Sequence, residues 1–414
     1  MEDQEKLKYR IGTEENREFL KEQRDVMLKF GQGFVSPEGG AYYLASDGSP
    51  MKDRPRETWI TCRMAHVYSL GLMLGNEYCA GPARAAMGGL KGELMDRENG
   101  GWYPGIDPKG GILPDKQCYA HAFVILAASS AMLAGIEKNS GFIEEALAVF
   151  DRYFWDEEYS LTKDTWDTGF RTLSDYRGLN ANMHTAEAFL AASDVLGDEV
   201  YRERAGKIIG RVIAWARDNS WRIPEHYDKN WRPQPDYNKE KPEDPFKPYG
   251  ATPGHGIEWA RLIVQWAKSS AGDDSGKLKE YVDAAEKLYC RAMDDAWGAD
   301  GEPGLCYTTD WNGRPVVHDR MHWTLAEAVN TSAVLYNATG KDRYADDYGM
   351  LMKYIDAAVI DHEKGSWFHQ LDRYGQVLDT VWPGKPDLYH AVQATLIPYN
   401  PNVGDSVGLY VSKF

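Results

Sequence analysis

Along most of the chain apolar residues return every three or four positions, the period of one face of an α-helix, with charged residues on the opposite face. That periodicity predicts a first amphipathic helix over Glu14–Phe30. Helical pairs follow over 58–74 and 77–95, 119–135 and 141–154, 180–196 and 199–219, 256–269 and 278–297, and 324–339 and 342–361, and a short last helix begins near Asp387. Junctions at Gly75, Gly197 and Gly340 are tight, as in αα-hairpins.

The segments between pairs share one type. GGWYPGIDPKGG, GLCYTTDWNGRPV and GSWFHQLDRYGQVL each place Gly before an aromatic pair, followed by an acid and a Gly-containing turn, which reads as a short β-hairpin. The signatures at Tyr307 and Trp367 are about sixty residues apart, the length of one helical pair with its loop, so an internal repeat is expected. About six hairpins without a sustained heptad suggest an all-α closed ring, one domain over 1–414, whose inner helices and loops form a central pocket. The longest irregular stretch, 221–254, is rich in Pro, Asp and Asn and is expected to be a lid or pocket wall.

Composition narrows the function. Fourteen Trp and 25 Tyr in a chain that is 43% hydrophobic supply an ample core, and surplus indoles commonly line a concave pocket where sugar faces stack. A net charge of −16 with no basic stripe excludes a nucleic-acid partner. No window of about 18 apolar residues occurs, so no membrane partner is expected, and the charged start MEDQEKLKYRIG lacks the apolar core of a signal peptide. Cys62, Cys79, Cys118, Cys290 and Cys306 form no CxxC pair, which fits reduced thiols and a cytoplasmic location. A homo-oligomer is left open.

The candidate chemistry centres on YGATPGHGIEWAR. Its glycines place His255 at a loop-to-helix junction, with Glu258 one turn further on the same face. A histidine there, its tautomer fixed by a carboxylate, suits proton transfer, although it could equally cap the helix. Trp59, Arg63 and His66 share a face in ETWITCRMAHVYS, Asn180 and His184 open another helix, and His390 opens the last. Any one of these histidines could instead be a core residue bonded to a carbonyl. His184-x-x-Glu187 and His255-x-x-Glu258 have a spacing that can put two metal ligands on one helix face, but no third ligand has clear spacing, and His318 and His322 fall in a loop. No Walker loop, GxGxxG, GxSxG or HExxH occurs, and neither metal nor cofactor is expected.

ETWITCRMAHVYSLG, GGWY, YRGLNANMHTAEAFL, PEHYDKNWRPQPDYNKEKP, YGATPGHGIEWARL, GSWFHQLD and KPDLYHAVQ, in this order, resemble the N-acylglucosamine 2-epimerase superfamily, most closely its aldose–ketose isomerase branch. The resemblance spans nearly the whole chain. It implies an (α/α)6 barrel with a central sugar pocket and two histidines, His255 and His390, working without metal or nucleotide. It places Arg63, Asn180, His184, Glu258 and Gln370 on sugar-contacting positions and makes Trp59 and Tyr119 pocket walls. In the sulfosugar branch an arginine sits ten residues before the first catalytic histidine; here that position is Pro245, with Lys247 two residues off, which favours a neutral hexose such as D-mannose. His255, oriented by Glu258, would move the carbon-bound proton of a cis-enediol mechanism, His390 would serve the oxygens, and Arg63 would stabilise the enediolate. A sulfoquinovose isomerase, a sugar 2-epimerase with the same two histidines, and an (α/α)6 glycoside hydrolase using Glu258 and Glu327 across the pocket are the alternatives.

Overall fold

A computed structural model describes residues 7–270 and 274–414. Helices α1 (Glu14–Phe30), α2 (Thr58–Met73), α3 (Ala80–Lys91), α4 (Cys118–Leu133), α5 (Gly141–Tyr153), α6 (Leu179–Leu196), α7 (Glu199–Asp218), α8 (Pro253–Ser270), α9 (Ser275–Ala296), α10 (His322–Thr339), α11 (Asp342–Tyr354), α12 (Tyr389–Gln393) and α13 (Val407–Val411) carry the fold. The even-numbered helices form the inner wall: α2 packs on α4, α4 on α6, α6 on α8, α8 on α10, α10 on α12, and α12 back on α2. The chain is therefore an (α/α)6 barrel, as the pairing and the resemblance lead one to expect.

Sequence decides which helices go inside. α4 reads CYAHAFVILAASSAML, apolar or small on every side, and is buried continuously from Ala120 to Ala131. Outer α5 reads GFIEEALAVFDRY and buries a single stripe, Phe142, Ile143, Ala146, Leu147 and Phe150. Each such large apolar side chain contributes roughly 1.5–3 kcal/mol on burial. α6 and α10 end on Gly197 and Gly340, both at φ 67°, and Gly75 after α2 has φ 87°, a conformation that glycine adopts without a Cβ clash.

The inner helices all start at one end of the ring, and short β-bridges hold those starts together. Arg56–Glu57, immediately before α2, pairs with Gly105–Ile106; Lys116–Gln117, before α4, with Thr165–Trp166; Arg177–Gly178, before α6, with His226–Tyr227; and Arg320–Met321, before α10, with Gln370–Leu371. Ala251, before α8, bridges to Thr309. Each tether ends in the same turn, in which an aspartate Oδ1 accepts from the amide four residues on: Asp107 from Gly111 (2.9 Å), Asp167 from Arg171 (2.8 Å), Asp228 from Arg232 (2.9 Å), Asp310 from Arg314 (2.9 Å) and Asp372 from Gln376 (2.8 Å). The repeat is thus real, and the turns at Asp167 and Asp228 fill the gap between the first two sequence signatures.

Some boundaries differ from expectation. α3 begins at Ala80 after a 3-10 turn over Glu77–Cys79, and α11 ends at Tyr354 in a π turn over Ile355–Val359. α8 begins at Pro253, whose fixed φ suits a first helical turn, so His255 lies inside the helix and not in a loop. Gly254 serves packing there, because a Cβ would meet Thr324 Cγ2 at 2.6 Å and the Trp323 ring at 2.9 Å. His322, placed in a loop by its spacing, is the first residue of α10. Among the described residues no helix is long and apolar enough to cross a membrane, and all five cysteines are unpaired.

Candidate active site

At the tethered end the helix starts and loops enclose a cavity of about 600 Å³ when its open mouth is included. Trp59, Arg63, Tyr119, Asn180, His184, Glu258, His255 and His390 all line it. His255 and His390 both pack against one indole: their rings lie 5.0 and 5.8 Å from that of Trp323, each tilted by less than 40°. Both imidazoles therefore line the same small space, from helices α8 and α12 on either side of α10 in the ring.

Each histidine has its own carboxylate. His390 Nδ1 lies 2.9 Å from Glu327 Oε1 and donates to it, which leaves Nε2 as the free face of the ring. Burial, with Arg63 nearby, holds the His390 imidazole well below its ordinary pKa, so it is neutral at pH 7. His255 Nδ1 lies 3.1 Å from Glu225 Oε2, a close pair not aligned for a hydrogen bond. Glu225 belongs to the 221–254 segment, which also supplies Pro245, Phe246 and Pro248 to the cavity and so forms a wall, as expected.

Glu258 does not hold His255, contrary to the reading from the i, i+3 spacing. It faces the cavity floor, where Glu187, Glu258 and Glu327 surround Arg261: Nε is 2.8 Å from Glu327, and Nη2 is 3.4 Å from Glu187 and 3.5 Å from Glu258. One guanidinium cannot keep three buried carboxylates ionised. Glu187 stays charged despite burial, because His184, Arg261 and the Tyr389 hydroxyl bond to it. Glu258 has no hydrogen-bond donor on either oxygen, and burial together with Glu327 pushes its pKa well up, so it carries the proton. The triads His184–Glu187–Glu258 and Glu258–Glu327–His390 are close enough to ligate a cation, but Arg261 already supplies positive charge there and would repel a dication. A third group, Asp300–Cys306–His318, is bonded to Arg320.

Arg63 is fixed by Asp387 (3.0 Å) and donates to the Tyr119 hydroxyl (3.0 Å), and its guanidinium lies 4.8 Å from the Trp59, Phe123 and Tyr389 ring centroids. Asp387 holds its carboxyl below the usual range against burial because Arg63 is adjacent. Phe246 packs edge-on against Trp59, Tyr119 and Trp382, and with Trp59, Tyr119 and Asn180 it forms the wall shared with a wider outer hollow. Lys247 lies in that outer hollow, 4.0 Å over the Tyr176 ring, while Pro245 lines the inner cavity.

Two expected sugar contacts lie elsewhere. Gln370 is turned away: its amide donates to Asp319 (2.6 Å) and Thr380 (2.8 Å), and its carbonyl accepts from the Val381 and Trp382 amides, so it braces the loop that carries Trp382. Glu327 is sealed behind His390 and reaches the cavity only through it. His66 lies deeper, between Ser130 (2.6 Å) and Gln393 (3.2 Å). Sequence reasoning missed Asp387, His322, His369 and Trp323 at the cavity and Glu225 beside His255; Asp387 had a signal, standing three residues before His390 in KPDLYH. Buried polar atoms without a protein partner gather here, including Asn180 Oδ1, both Glu258 oxygens, His322 Nε2 and Trp382 Nε1, as expected where a polyhydroxy ligand completes the bonding.

The chain belongs to the N-acylglucosamine 2-epimerase (GlcNAc 2-epimerase) family, whose sequence profile matches residues 39–394. It is 39% identical over 365 residues to the D-mannose isomerase of Pseudomonas cannabina pv. alisalensis, covering 88% of each protein. It is 38% identical over 391 residues to the D-mannose isomerase of Thermobifida fusca, covering 93% of this chain and 95% of that protein. A crystal structure of D-mannose isomerase superposes with a TM-score of 0.85 at 27% identity, over 92% of this chain and 97% of that one.

Proposed function

We propose that this chain is an aldose–ketose isomerase that interconverts D-mannose and D-fructose, and also D-lyxose and D-xylulose, through a cis-enediol. The observation that carries the proposal is the pair of carboxylate-backed imidazoles, His255 and His390, that pack against Trp323 and line one cavity. Similarity to relatives named D-mannose isomerase over most of both chains supports the substrate. Pro245 at the inner wall offers no charge to a sulfonate, and Lys247 lies outside, which favours a neutral sugar.

The reaction needs the ring opened, the C2 proton removed, and a proton delivered to C1 on the same face of the enediol. His255, backed by Glu225, takes the C2 proton and returns it to C1. His390 Nε2 first carries the anomeric O1 proton to the ring oxygen as the C1–O5 bond breaks, and then receives the O2 proton and gives it to O1, while Nδ1 stays on Glu327. Arg63 stabilises negative charge on the enediolate oxygens. Protonated Glu258 donates to one sugar hydroxyl, and Asn180 and His184 orient the others. The imidazoles and Arg63 cover each proton and charge, so the proposed route is metal-independent, and the free thiols suit the cytoplasm.

A 2-epimerase would use the same histidines from opposite faces of C2 and yield glucose. The hydrolase alternative is disfavoured, because Glu327 is sealed by Arg261 and His390 and cannot face Glu258 across a substrate. The test is product analysis after incubation with D-mannose: fructose is expected, whereas glucose alone identifies an epimerase. His255→Ala is expected to lose roughly 10³-fold or more in turnover with the fold kept, and retention of about a tenth of the activity removes His255 from the proton transfer.

A further inference from the structure

His322, first residue of α10, lines the cavity and has no part in the mechanism above. Its ring stacks on His369 at 3.7 Å and meets His390 edge-on at 6.3 Å. Nδ1 lies 3.4 Å from the His369 carbonyl oxygen, which can only accept, so Nδ1 carries the proton. His369 is fixed in turn, its Nε2 donating to the Asp387 carbonyl at 3.1 Å. A neutral ring in this tautomer leaves His322 Nε2 as a bare lone pair, and that atom is buried without a partner. Burial lowers the His322 pKa to about 4, so the lone pair persists at neutral pH.

We infer that His322 Nε2 is a substrate-binding acceptor: it takes a hydrogen bond from a hydroxyl of the sugar bound between His390 and the Arg63–Asp387 pair, and so selects a polyol there. Of the acceptors beside it, both Asp387 oxygens are taken by Arg63 and the Tyr389 amide and His390 Nε2 is given to the reacting oxygens, so His322 Nε2 is the acceptor left for a bound hydroxyl next to the Arg63 guanidinium. A hydroxyl that accepts from Arg63 has its own proton left over, and an unprotonated imidazole nitrogen receives it. An apolar or methylated ligand group at the same point would leave a buried acceptor orphaned, which is how a polar site rejects analogues. The inference rests on the sugar-isomerase reading and adds a specificity residue to it.

The test is nitrogen NMR of protein carrying ¹⁵N-labelled histidine, with the His322 signals assigned by their loss in His322→Leu, during titration with D-mannose while fructose is measured in the same tube. The free protein is expected to show Nε2 unprotonated and Nδ1 protonated, and Nε2 is expected to move upfield in step with saturation. His322→Leu is expected to raise KM for D-mannose about tenfold, more than it lowers kcat, and His322→Gln to recover part of that loss through its amide oxygen. If fructose forms while Nε2 is already protonated or does not move, the assignment of His322 is overturned and the isomerase stands. If no fructose forms, the isomerase reading falls, and this role for His322 falls with it.

Discussion

Glu327 offers the sharpest perturbation, because it acts only through what it holds. Its two oxygens accept from His390 Nδ1 at 2.9 Å and from Arg261 Nε at 2.8 Å, and no water reaches either bond. Glu327→Gln keeps the shape but has one acceptor for two donors. The permanently charged Arg261 claims the amide oxygen, and the amide N–H₂ then confronts His390 Nδ1 donor to donor. The cheapest relief is the other imidazole tautomer, with Nδ1 accepting and the proton moved to Nε2, facing the sugar. His390 then has no lone pair for the O2 proton. A misplaced tautomer costs roughly 10³–10⁴ in turnover when geometry is otherwise kept. One lost charge-assisted bond costs about 1.5–3 kcal/mol, so the variant stays folded at assay temperature. Steady-state fructose formation beside a thermal melt reads both quantities. KM should change little, since Glu327 does not touch the cavity. A Gln variant that keeps more than about a tenth of wild-type kcat would refute the tautomer argument.

Glu258→Gln should behave oppositely: Glu258 already holds its proton, so an amide reproduces its donor, and kcat/KM should stay within about tenfold, while Glu258→Ala should lose clearly more. A loss for Glu258→Gln as large as for Glu327→Gln would show that Glu258 works as an anion. Stability should fall on acidification. Burial depresses His66, His184 and His322 to about 4 and His121 to about 3, so below the ordinary histidine value of 6.5 the unfolded chain takes up protons that the folded chain refuses. The stabilisation is complete above pH 6.5 and declines toward pH 4, by up to about 1.4 kcal/mol per pH unit for each histidine. Burial also raises the carboxyls of Glu57, Asp164, Asp194, Glu258, Asp319, Glu327 and Asp347, which act in the opposite direction, while His226, His369 and His390, likewise lowered, add to the fall. Melting temperatures that hold constant or rise from pH 6.5 to 4.5 would contradict this.

The barrel was legible because each helix carries its own period and three hairpins carry a glycine at the bend, Gly75, Gly197 and Gly340. The two imidazoles were legible because each sits in a compact motif at a helix start. Their surroundings were not: Glu327 was named only as a hydrolase carboxylate and not as the partner of His390, Asp387 meets Arg63 across 324 positions, and Glu225 stands in an irregular segment with no period to place it. Glu258 was misassigned because α8 starts at Pro253, which puts both His255 and Glu258 in helical turns, and Arg261, a further turn on, draws Glu258 to the floor. Gln370 looked like a sugar contact in GSWFHQLD, yet its strand pairs with Arg320–Met321 and turns the amide toward Asp319 and the loop bearing Trp382.

The most direct test of the central claim is to convert D-mannose in deuterated water with a chelator present and read the product and its label by NMR. Two imidazoles serving one open-chain sugar should give fructose undiminished by chelation, with deuterium, to whatever extent His255 exchanges its proton, at C1 alone and on one face. Glucose labelled at C2, label on both faces of C1, or activity abolished by the chelator would contradict it.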